Sequence, residues 1–160
     1  MRVSLPIRLT LGILLLTVIT GRPGFSHQVS DDNLVSNSTG YGKVTVTAKT
    51  SPYSVFFPNT VITLTGTNTG YLDAYGPFGG GVMATNVNYD LFYDGNTVQG
   101  DTFTLYAVPY SSPWDYQQVT PSGSRTVTSG AHSVESYTLN TESTGPEATD
   151  THSVSVLGEI

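Results

Sequence analysis

The chain of 160 residues contains no cysteine. It can therefore form no disulfide, no thiolate metal site and no lipid anchor on an amino-terminal cysteine, and a cysteine nucleophile is excluded. A domain without disulfides must be held together by packing. Each fully buried Val, Leu, Ile or Phe contributes roughly 1.5–3 kcal/mol to that packing.

Basic residues are scarce as well, with six Lys and Arg against twelve Asp and Glu. This composition argues against nucleic acid as a partner, because phosphate contacts require clusters of basic side chains. An acidic, lysine-poor surface instead favours solubility outside the cell.

Long hydrophobic runs are also missing. The longest apolar stretch, residues 9–19, spans about eleven residues, whereas a transmembrane helix needs about 20. Two arginines precede it and the small-x-small segment GFS at 24–26 follows it, which is typical of a secretory signal peptide cleaved before His27. We therefore predict a signal peptide over 1–26 and a secreted, periplasmic or cell-surface chain with no transmembrane span after cleavage. The alternative is an uncleaved amino-terminal anchor.

Cleavage at this point would remove three of the six basic residues and none of the acidic ones. The mature chain would then carry a formal net charge of −9. Its length of about 134 residues is that of one domain.

Apolar and polar residues alternate with a period of two in the stretch 59–100, which is the period of a half-buried strand and not of a helix. Asp94-Gly95 tolerates positive φ and predicts the tip of a two-residue hairpin. The residues predicted to point inward in this stretch are Ile62, Leu64, Gly66, Val87, Tyr89, Leu91 and Tyr93.

The same alternation predicts strands elsewhere, with Val44, Val46 and Ala48 inward in the first and Phe103, Leu105 and Ala107 inward in a later one. Further strands are predicted at 116–120, 125–128, 133–140 and 152–157. Turns or loops are predicted at 70–81, 100–101, 110–123 and 142–150. Eight or nine short strands without an amphipathic helix favour a sandwich or barrel.

Three runs of sequence carry a resemblance to a known family: KVTVTAKTSPYSVFFPNTVITLTGTNTG, then NVNYDLFYDG, and finally SVESYTLNT followed by THSVSV. They resemble the cell-adhesion-related, immunoglobulin-like extracellular domains of secreted bacterial and archaeal proteins. The resemblance covers roughly residues 43–157 and departs from the family pattern at 70–81 and 110–123. It implies a structural or binding module with no catalytic residues to carry over.

We therefore predict an all-β fold, an antiparallel immunoglobulin-like β-sandwich of about eight strands preceded by a signal peptide. The domain occupies 43–160. Residues 27–42 are polar and aperiodic, which predicts a flexible leader. Within this leader, Asn37-Ser38-Thr39 matches the acceptor pattern for an N-linked glycan.

Aromatic residues in the two turn-rich segments are the candidates for ligand binding. Aromatic faces supported by a rigid sheet can stack on sugars or hold a protein partner, although such rings can also close the open ends of a sandwich. The two segments would form one site only if they meet in space. The candidates are Trp114, Tyr71, Tyr75, Tyr110 and Tyr116.

No metal or cofactor is predicted, although Asp94, Asn96 and Asp101 are weak calcium candidates because hard oxygen ligands gather near a turn. Hairpin chemistry explains the first two equally well, and the spacing of a dedicated calcium loop is absent. The histidines share no short motif with one another and no G-x-S-x-G occurs, so neither a zinc site nor a catalytic triad is predicted.

Three classes of function stay open. The leading one is a secreted or cell-surface, non-enzymatic module with a structural, adhesion or protein-binding role. The second is a carbohydrate-binding module, which requires coplanar exposure of Trp114 with Tyr71 or Tyr75. The third, a secreted hydrolase, needs paired carboxylates facing one cleft. The partner is an unknown protein or a polysaccharide surface, since fold analogy alone does not choose among these classes.

Overall fold

The computed structural model describes residues 27–51 and 55–157, with the backbone alone at 55 and 56. This part of the chain forms strands and no helix, arranged in two five-stranded sheets. The predicted all-β sandwich is thereby confirmed. Among the described residues no helix is long and apolar enough to cross a membrane. The predicted signal peptide at 1–26 lies outside the described residues.

Ten strands make up the two sheets of the described chain. They are β1 (Val29–Ser36), β2 (Gly40–Thr50), β3 (Val55–Phe56), β4 (Thr60–Pro77), β5 (Met83–Tyr93), β6 (Asn96–Ala107), β7 (Trp114–Val119), β8 (Ser122–Val127), β9 (His132–Asn140) and β10 (Glu147–Val156). The front sheet has the order β1-β2-β4-β7, with β8 paired to the other half of β4. The back sheet has the order β3-β10-β9-β5-β6. Every pairing is antiparallel except that of the short β3 with β10.

Strand β4 is the backbone of the front sheet. Its 18 residues extend about 60 Å at roughly 3.3 Å per residue. It pairs with β2 along one edge and with β7 and β8 in succession along the other. Its even-numbered residues from Ile62 to Gly76 are buried and its odd-numbered residues point outward.

The predicted glycine-rich loop at 70–81 is wrong as far as residue 77, because β4 continues through it. Gly70 serves a close approach between sheets and not a turn: a Cβ there would lie 2.9 Å from the ring of Phe103 on β6. The turn itself is confined to residues 78–82, where Gly79, Gly80 and Gly81 all have positive φ. Glycine thus has two uses within one short segment.

The predicted flexible leader at 27–42 is also wrong, because residues 29–36 form the edge strand β1. This strand pairs with β2 in continuous antiparallel register from Val29↔Ala48 to Ser36↔Tyr41. Its outer face and its edge are solvated, so most of its residues are polar, and Val35 alone among them is fully buried.

Asn37 builds the turn between β1 and β2. Its Oδ1 accepts hydrogen bonds from the backbone of Thr39 at 2.8 Å and of Gly40 at 3.2 Å. Its Nδ2 donates to the carbonyl of Ala84 at 2.8 Å and to Glu142 Oε1 at 2.7 Å. A glycan attached to Nδ2 would remove one of these two bonds, so the acceptor pattern at this position coincides with a structural asparagine.

The predicted turn at 100–101 is absent, because β6 runs unbroken from Asn96 to Ala107. Gly100 lies where the carboxylate of Asp90 on β5 fills the space that a side chain would need. The segment 110–123, predicted as turn-rich, contains all of β7 and the start of β8.

The inward side chains form two apolar clusters, one at each half of the sandwich. The first includes Val44, Val46, Ala48, Leu72, Val87 and Leu105, and the second includes Ile62, Leu64, Leu91, Tyr93, Val127 and Val134. The inward positions predicted in β2, β5, β6 and the first part of β4 are thereby confirmed, whereas Leu72, Val127 and Val134 were not predicted. The hairpin at Asp94-Gly95 is confirmed too, with φ of 49° and 75° at its two tip residues.

A buried polar seam, formed by Asn68, Ser136 and Thr138, joins the two sheets directly. Asn68 Nδ2 on β4 donates to Ser136 Oγ at 2.9 Å and to Thr138 Oγ1 at 2.7 Å on β9. Thr138 Oγ1 in turn donates to the carbonyl of Thr47 on β2 at 2.7 Å. All three residues of the seam are fully buried. Such direct bonding across a sandwich requires closely spaced sheets, which Gly66 and Gly70 permit.

A second polar link crosses the core at Asp150 on β10, whose side chain is 2% exposed. Its Oδ2 accepts a hydrogen bond from the backbone of Thr50 at 2.7 Å. His27 and His152 lie within 3.3 Å and 3.2 Å of the same carboxylate. The back sheet is thereby tied to the end of β2.

The inward and outward assignment can be tested with Leu91 and Thr63. Leu91 is fully buried in the second apolar cluster, so Leu91→Ala should lower the free energy of unfolding by about 2–5 kcal/mol. Thr63 is exposed, so Thr63→Ala should change the free energy of unfolding by less than about 0.5 kcal/mol. Urea denaturation of both variants measures the difference. Equal losses would mean that the register is displaced by one residue.

Candidate functional site

The outer face of the front sheet carries three exposed aromatic rings on two neighbouring strands, Tyr71 on β4 with Trp114 and Tyr116 on β7. We call this set the aromatic strip. The rings of Tyr71 and Trp114 are nearly parallel, with an interplanar angle of 25° and centroids 6.4 Å apart. Trp114 is 58% exposed, Tyr116 50% and Tyr71 36%. The strip is therefore open to a ligand from solution.

The alternation along β7 explains why these rings face outward. Trp114 and Tyr116 are exposed, whereas the alternate residues Asp115 and Gln117 turn toward the edge of the back sheet. Asp115 Oδ2 accepts a hydrogen bond from the backbone of Tyr106 at 2.8 Å, and Gln117 Nε2 donates to the carbonyl of Thr104. These bonds fix β7 against β6, so the two aromatic residues must face outward.

A trough of about 540 Å³ lies beside the aromatic strip on the same face. Thr45 and Thr47 of β2 and Thr67 and Thr69 of β4 form its floor, and Tyr71 and Tyr116 form one wall. The hydroxyls of Thr47 and Thr69 are hydrogen-bonded to each other across the strands. Each threonine hydroxyl can donate and accept, so the floor offers both kinds of contact to a ligand.

Lys49 lies at the end of the trough farthest along β2 from Thr45. The remaining lining residues are two glutamines, Gln28 and Gln118. Gln118 also accepts a hydrogen bond from the hydroxyl of Tyr116 at 3.1 Å. No carboxylate lines the trough in the part of the chain that the structure describes.

A second group of rings continues the front face toward the 78–82 turn. Tyr41 contacts Tyr75 edge to face at 6.4 Å and Phe78 at 6.1 Å. Tyr75 lies about 13 Å beyond Tyr71, because four residues of strand separate them at roughly 3.3 Å each. Tyr110 is almost fully exposed and borders a hollow of about 360 Å³ together with Tyr41 and Tyr75.

The two aromatic segments identified in the sequence therefore meet in space, mainly as the adjacent strands β4 and β7. Tyr71 is register-paired with Tyr116, and the backbone of Ala74 donates to the carbonyl of Pro113 at 2.7 Å. The rings of the aromatic strip lie on the face of the sheet, whereas Tyr110 lies in the turn at 109–111, next to Gly80 and Gly81 of the 78–82 turn. Tyr75 and Tyr110 belong to the second group of rings, apart from the Tyr71–Trp114 stack.

Sequence reasoning missed the threonine floor, Lys49 and Tyr41. The signal for the threonines and for Lys49 was present in the alternation of VTVTAK at 44–49 and of TGTNT at 65–69, which places every second residue on one face. That alternation predicted strands, but it did not show which strands would lie side by side.

The three weak calcium candidates do not form a common set of ligands, because Asp101 lies apart from Asp94 and Asn96. Both carboxylate oxygens of Asp94 are engaged, Oδ1 by the backbone of Ser133 at 2.9 Å and Oδ2 by His132. Asp101 lies five positions along β6 from Asn96. Within residues 27–51 and 55–157, no group of three His, Asp or Glu side chains could hold a metal ion.

His132 forms a polar cluster with Asp94 and Thr128 at the base of the hairpin. Its Nδ1 is 2.6 Å from Asp94 Oδ2, and its Nε2 is 2.9 Å from the carbonyl of Thr128. The ring stacks on Tyr93 with centroids 5.5 Å apart. The hydrogen bond to Asp94, followed by that to Thr128, raises the pKa of His132 above its ordinary value of 6.5.

The surroundings of this cluster favour a protonated imidazole. Both ring nitrogens face oxygens that accept hydrogen bonds, the carboxylate of Asp94 and the carbonyl of Thr128. The hydroxyl of Thr128 lies 3.4 Å from Nε2. The cluster thereby links the hairpin to the segment between β8 and β9.

No protein-family model matches the chain, and no curated protein sequence matches it. The function must therefore be argued from the site itself.

His132 should make stability depend on pH near neutrality. Because its folded-state pKa is raised, its contribution is fully present below the unfolded pKa of about 6.5 and is lost as pH rises through the folded value. Urea denaturation from about pH 5.5 to about pH 8.5 should therefore show His132→Gln destabilised most at the acid end, since the ordinary imidazole pKa lies between these limits. Asp94→Asn keeps the hairpin residue type and should flatten the same profile. A constant difference between wild type and His132→Gln at all pH values would contradict this assignment.

Trp114 should behave as an exposed ring and not as a core residue. As it is the only tryptophan, its fluorescence reports on this position alone and should be quenched readily by an aqueous quencher such as acrylamide. Trp114→Ala should lower the free energy of unfolding by no more than about 1.5 kcal/mol, the upper value for one aromatic pair. If Trp114 were shielded from the quencher and its loss lowered the free energy of unfolding by several kcal/mol, its role would be to close the core of the sandwich.

Proposed function

We propose that this chain is a secreted or cell-surface, non-enzymatic β-sandwich module that binds polysaccharide on the outer face of its front sheet. The observation that supports the proposal is the exposed, nearly parallel pair of Tyr71 and Trp114. The carbohydrate-binding interpretation of the sequence requires coplanar exposure of Trp114 with Tyr71 or Tyr75, and the small interplanar angle of this exposed pair supports that interpretation. The same proposal includes two further statements: that the chain belongs to the immunoglobulin-like domains, and that a signal peptide directs its export.

The chemistry of the face suits a sugar chain. One side of a pyranose ring presents C–H groups that pack on an aromatic face, and its rim presents hydroxyls that need donors and acceptors. The strip offers the aromatic faces, and the threonine floor next to it offers hydroxyls at a regular spacing. Because both lie on paired strands, little conformational entropy is lost on binding.

A second candidate function, adhesion to a protein partner, is favoured by the other group of rings. Leu34, Tyr41 and Tyr75 line a hollow of about 540 Å³ on the front face, and Leu34 is 63% exposed. Aromatic residues are enriched where proteins dock on one another. This surface adjoins the aromatic strip, so a protein partner would contact the same face.

Retention of the exported protein on a panel of immobilised glycans and cell-wall polysaccharides tests the polysaccharide proposal. The wild type should be retained on at least one polysaccharide, and Trp114→Ala and Tyr71→Ala should each weaken retention at least about fivefold, as expected for loss of a stacking ring worth about 1–3 kcal/mol. Tyr106→Ala is the matched control, because Tyr106 is as exposed as Trp114 but lies on β6 of the back sheet. No retention on any polysaccharide, or equal losses from Tyr106→Ala and Trp114→Ala, would refute the proposal.

A further inference from the structure

The charge of the trough differs from that of the whole molecule. The chain has a formal net charge of −6 and only two lysines, and both of them lie on the outer face of β2. Their surroundings are different. Lys43 is paired with Asp32 on β1, with Nζ 3.0 Å from Oδ2, and that contact raises the pKa of Lys43.

Lys49, by contrast, forms no ion pair with any of the residues that the structure describes. It lies at the end of a trough whose other lining side chains are threonine, tyrosine and glutamine. An ammonium group among neutral hydroxyls and amides, with no carboxylate in the lining, creates a local positive potential on an acidic protein. Two carboxylates of the same outer face, Asp32 and Asp73, lie toward Lys43 at the other end of β2. They are separated from Lys49 by more than the Debye length of about 8 Å at physiological ionic strength, so the lining governs what the Lys49 end of the trough attracts.

The position of Lys49 relative to the aromatic strip adds a geometric constraint. Lys49 is register-paired with Thr67, and Thr45 is register-paired with Tyr71. Four residues of strand therefore separate the backbone position of Lys49 from the position beside Tyr71, a distance of about 13 Å along the sheet. A single sugar would not reach both, whereas an oligosaccharide lying along the trough could stack on Tyr71 and place an anionic substituent at Lys49.

We propose that the trough binds an anionic polysaccharide, with a carboxylate or sulfate group of the sugar chain on Lys49 Nζ and a pyranose ring of the same chain on Tyr71. This inference rests on the proposed function and specifies the class of polysaccharide. The threonine floor supplies hydrogen bonds to the sugars between the two contacts. Carboxylate and sulfate groups share the chemistry that a lysine recognises, a negative charge with acceptor oxygens.

Binding of oligosaccharides that differ only in charge tests the inference. A uronate oligosaccharide, its carboxyl-reduced neutral counterpart and a sulfated counterpart are titrated against wild type, Lys49→Gln and Lys43→Gln by calorimetry. Wild type should prefer at least one anionic form, and Lys49→Gln should weaken binding of that form roughly three- to tenfold, as expected for one partly exposed charge-assisted contact. Lys49→Gln should weaken binding of the neutral form by a smaller factor than binding of the anionic form, because the neutral form presents no charge to the ammonium group.

Lys43→Gln is the matched control. It removes the same charge from the same strand, but that charge is already compensated by Asp32 and lies outside the trough. Equal binding of neutral and anionic forms, or equal effects of the two lysine substitutions, would overturn the inference and leave the proposed function standing. Failure of every oligosaccharide to bind would overturn both. The relative affinity for the uronate and the sulfated form identifies which anion the trough takes.

Discussion

The close contact between the two sheets along β4 is the constraint on which the rest of the structure depends. Gly66 and Gly70 leave room for the back sheet, and between them Asn68 bonds directly to Ser136 and Thr138 of β9. A shift of β4 by one residue would turn its threonines into the core and remove Asn68 from its partners. The register of this strand is therefore set by hydrogen bonding as well as by burial of apolar side chains.

The same constraint determines the outer face. Because β4 is fixed, its odd-numbered residues point to solvent from Thr63 to Tyr75, and its pairing with β2 and β7 aligns them with the outward residues of both neighbours. The threonine floor and the aromatic strip are two parts of this one row of positions. The proposed binding surface is thus the reverse side of the core, and its rigidity follows from the packing beneath it.

Much of the strand content could be predicted from the sequence, because it is encoded locally. The alternation in β2, β5 and β6 assigned their buried residues, and Asp94-Gly95 located a hairpin tip, since both signals extend over only a few residues. β1 was missed because a polar edge strand has no apolar period of its own and forms only when β2 is available to pair with it. Residues 70–77 were missed because glycine next to aromatic residues is typical of turns, whereas here glycine accommodates Phe103 of the opposite sheet.

The site could be predicted only in part, and for a related reason. Tyr71 and Trp114 were identified as candidates from their setting, but their contact depends on the pairing of β4 with β7, which lie more than forty positions apart. The alternation along β2 and β4 implies that Lys49 and the threonines point outward, but it gives no indication that they share a trough. Non-local strand pairing, which no short pattern encodes, assembled them.

Binding at the outer face of the front sheet can be located residue by residue. Amide chemical-shift mapping by NMR, with an oligosaccharide titrated into the isotope-labelled protein, provides this measurement. Shifts should cluster on Thr47, Thr69, Tyr71, Trp114 and Tyr116, with none on the outward residues of β5 and β9. Shifts centred on the back sheet or on the Asp94-Gly95 hairpin would place the binding surface elsewhere.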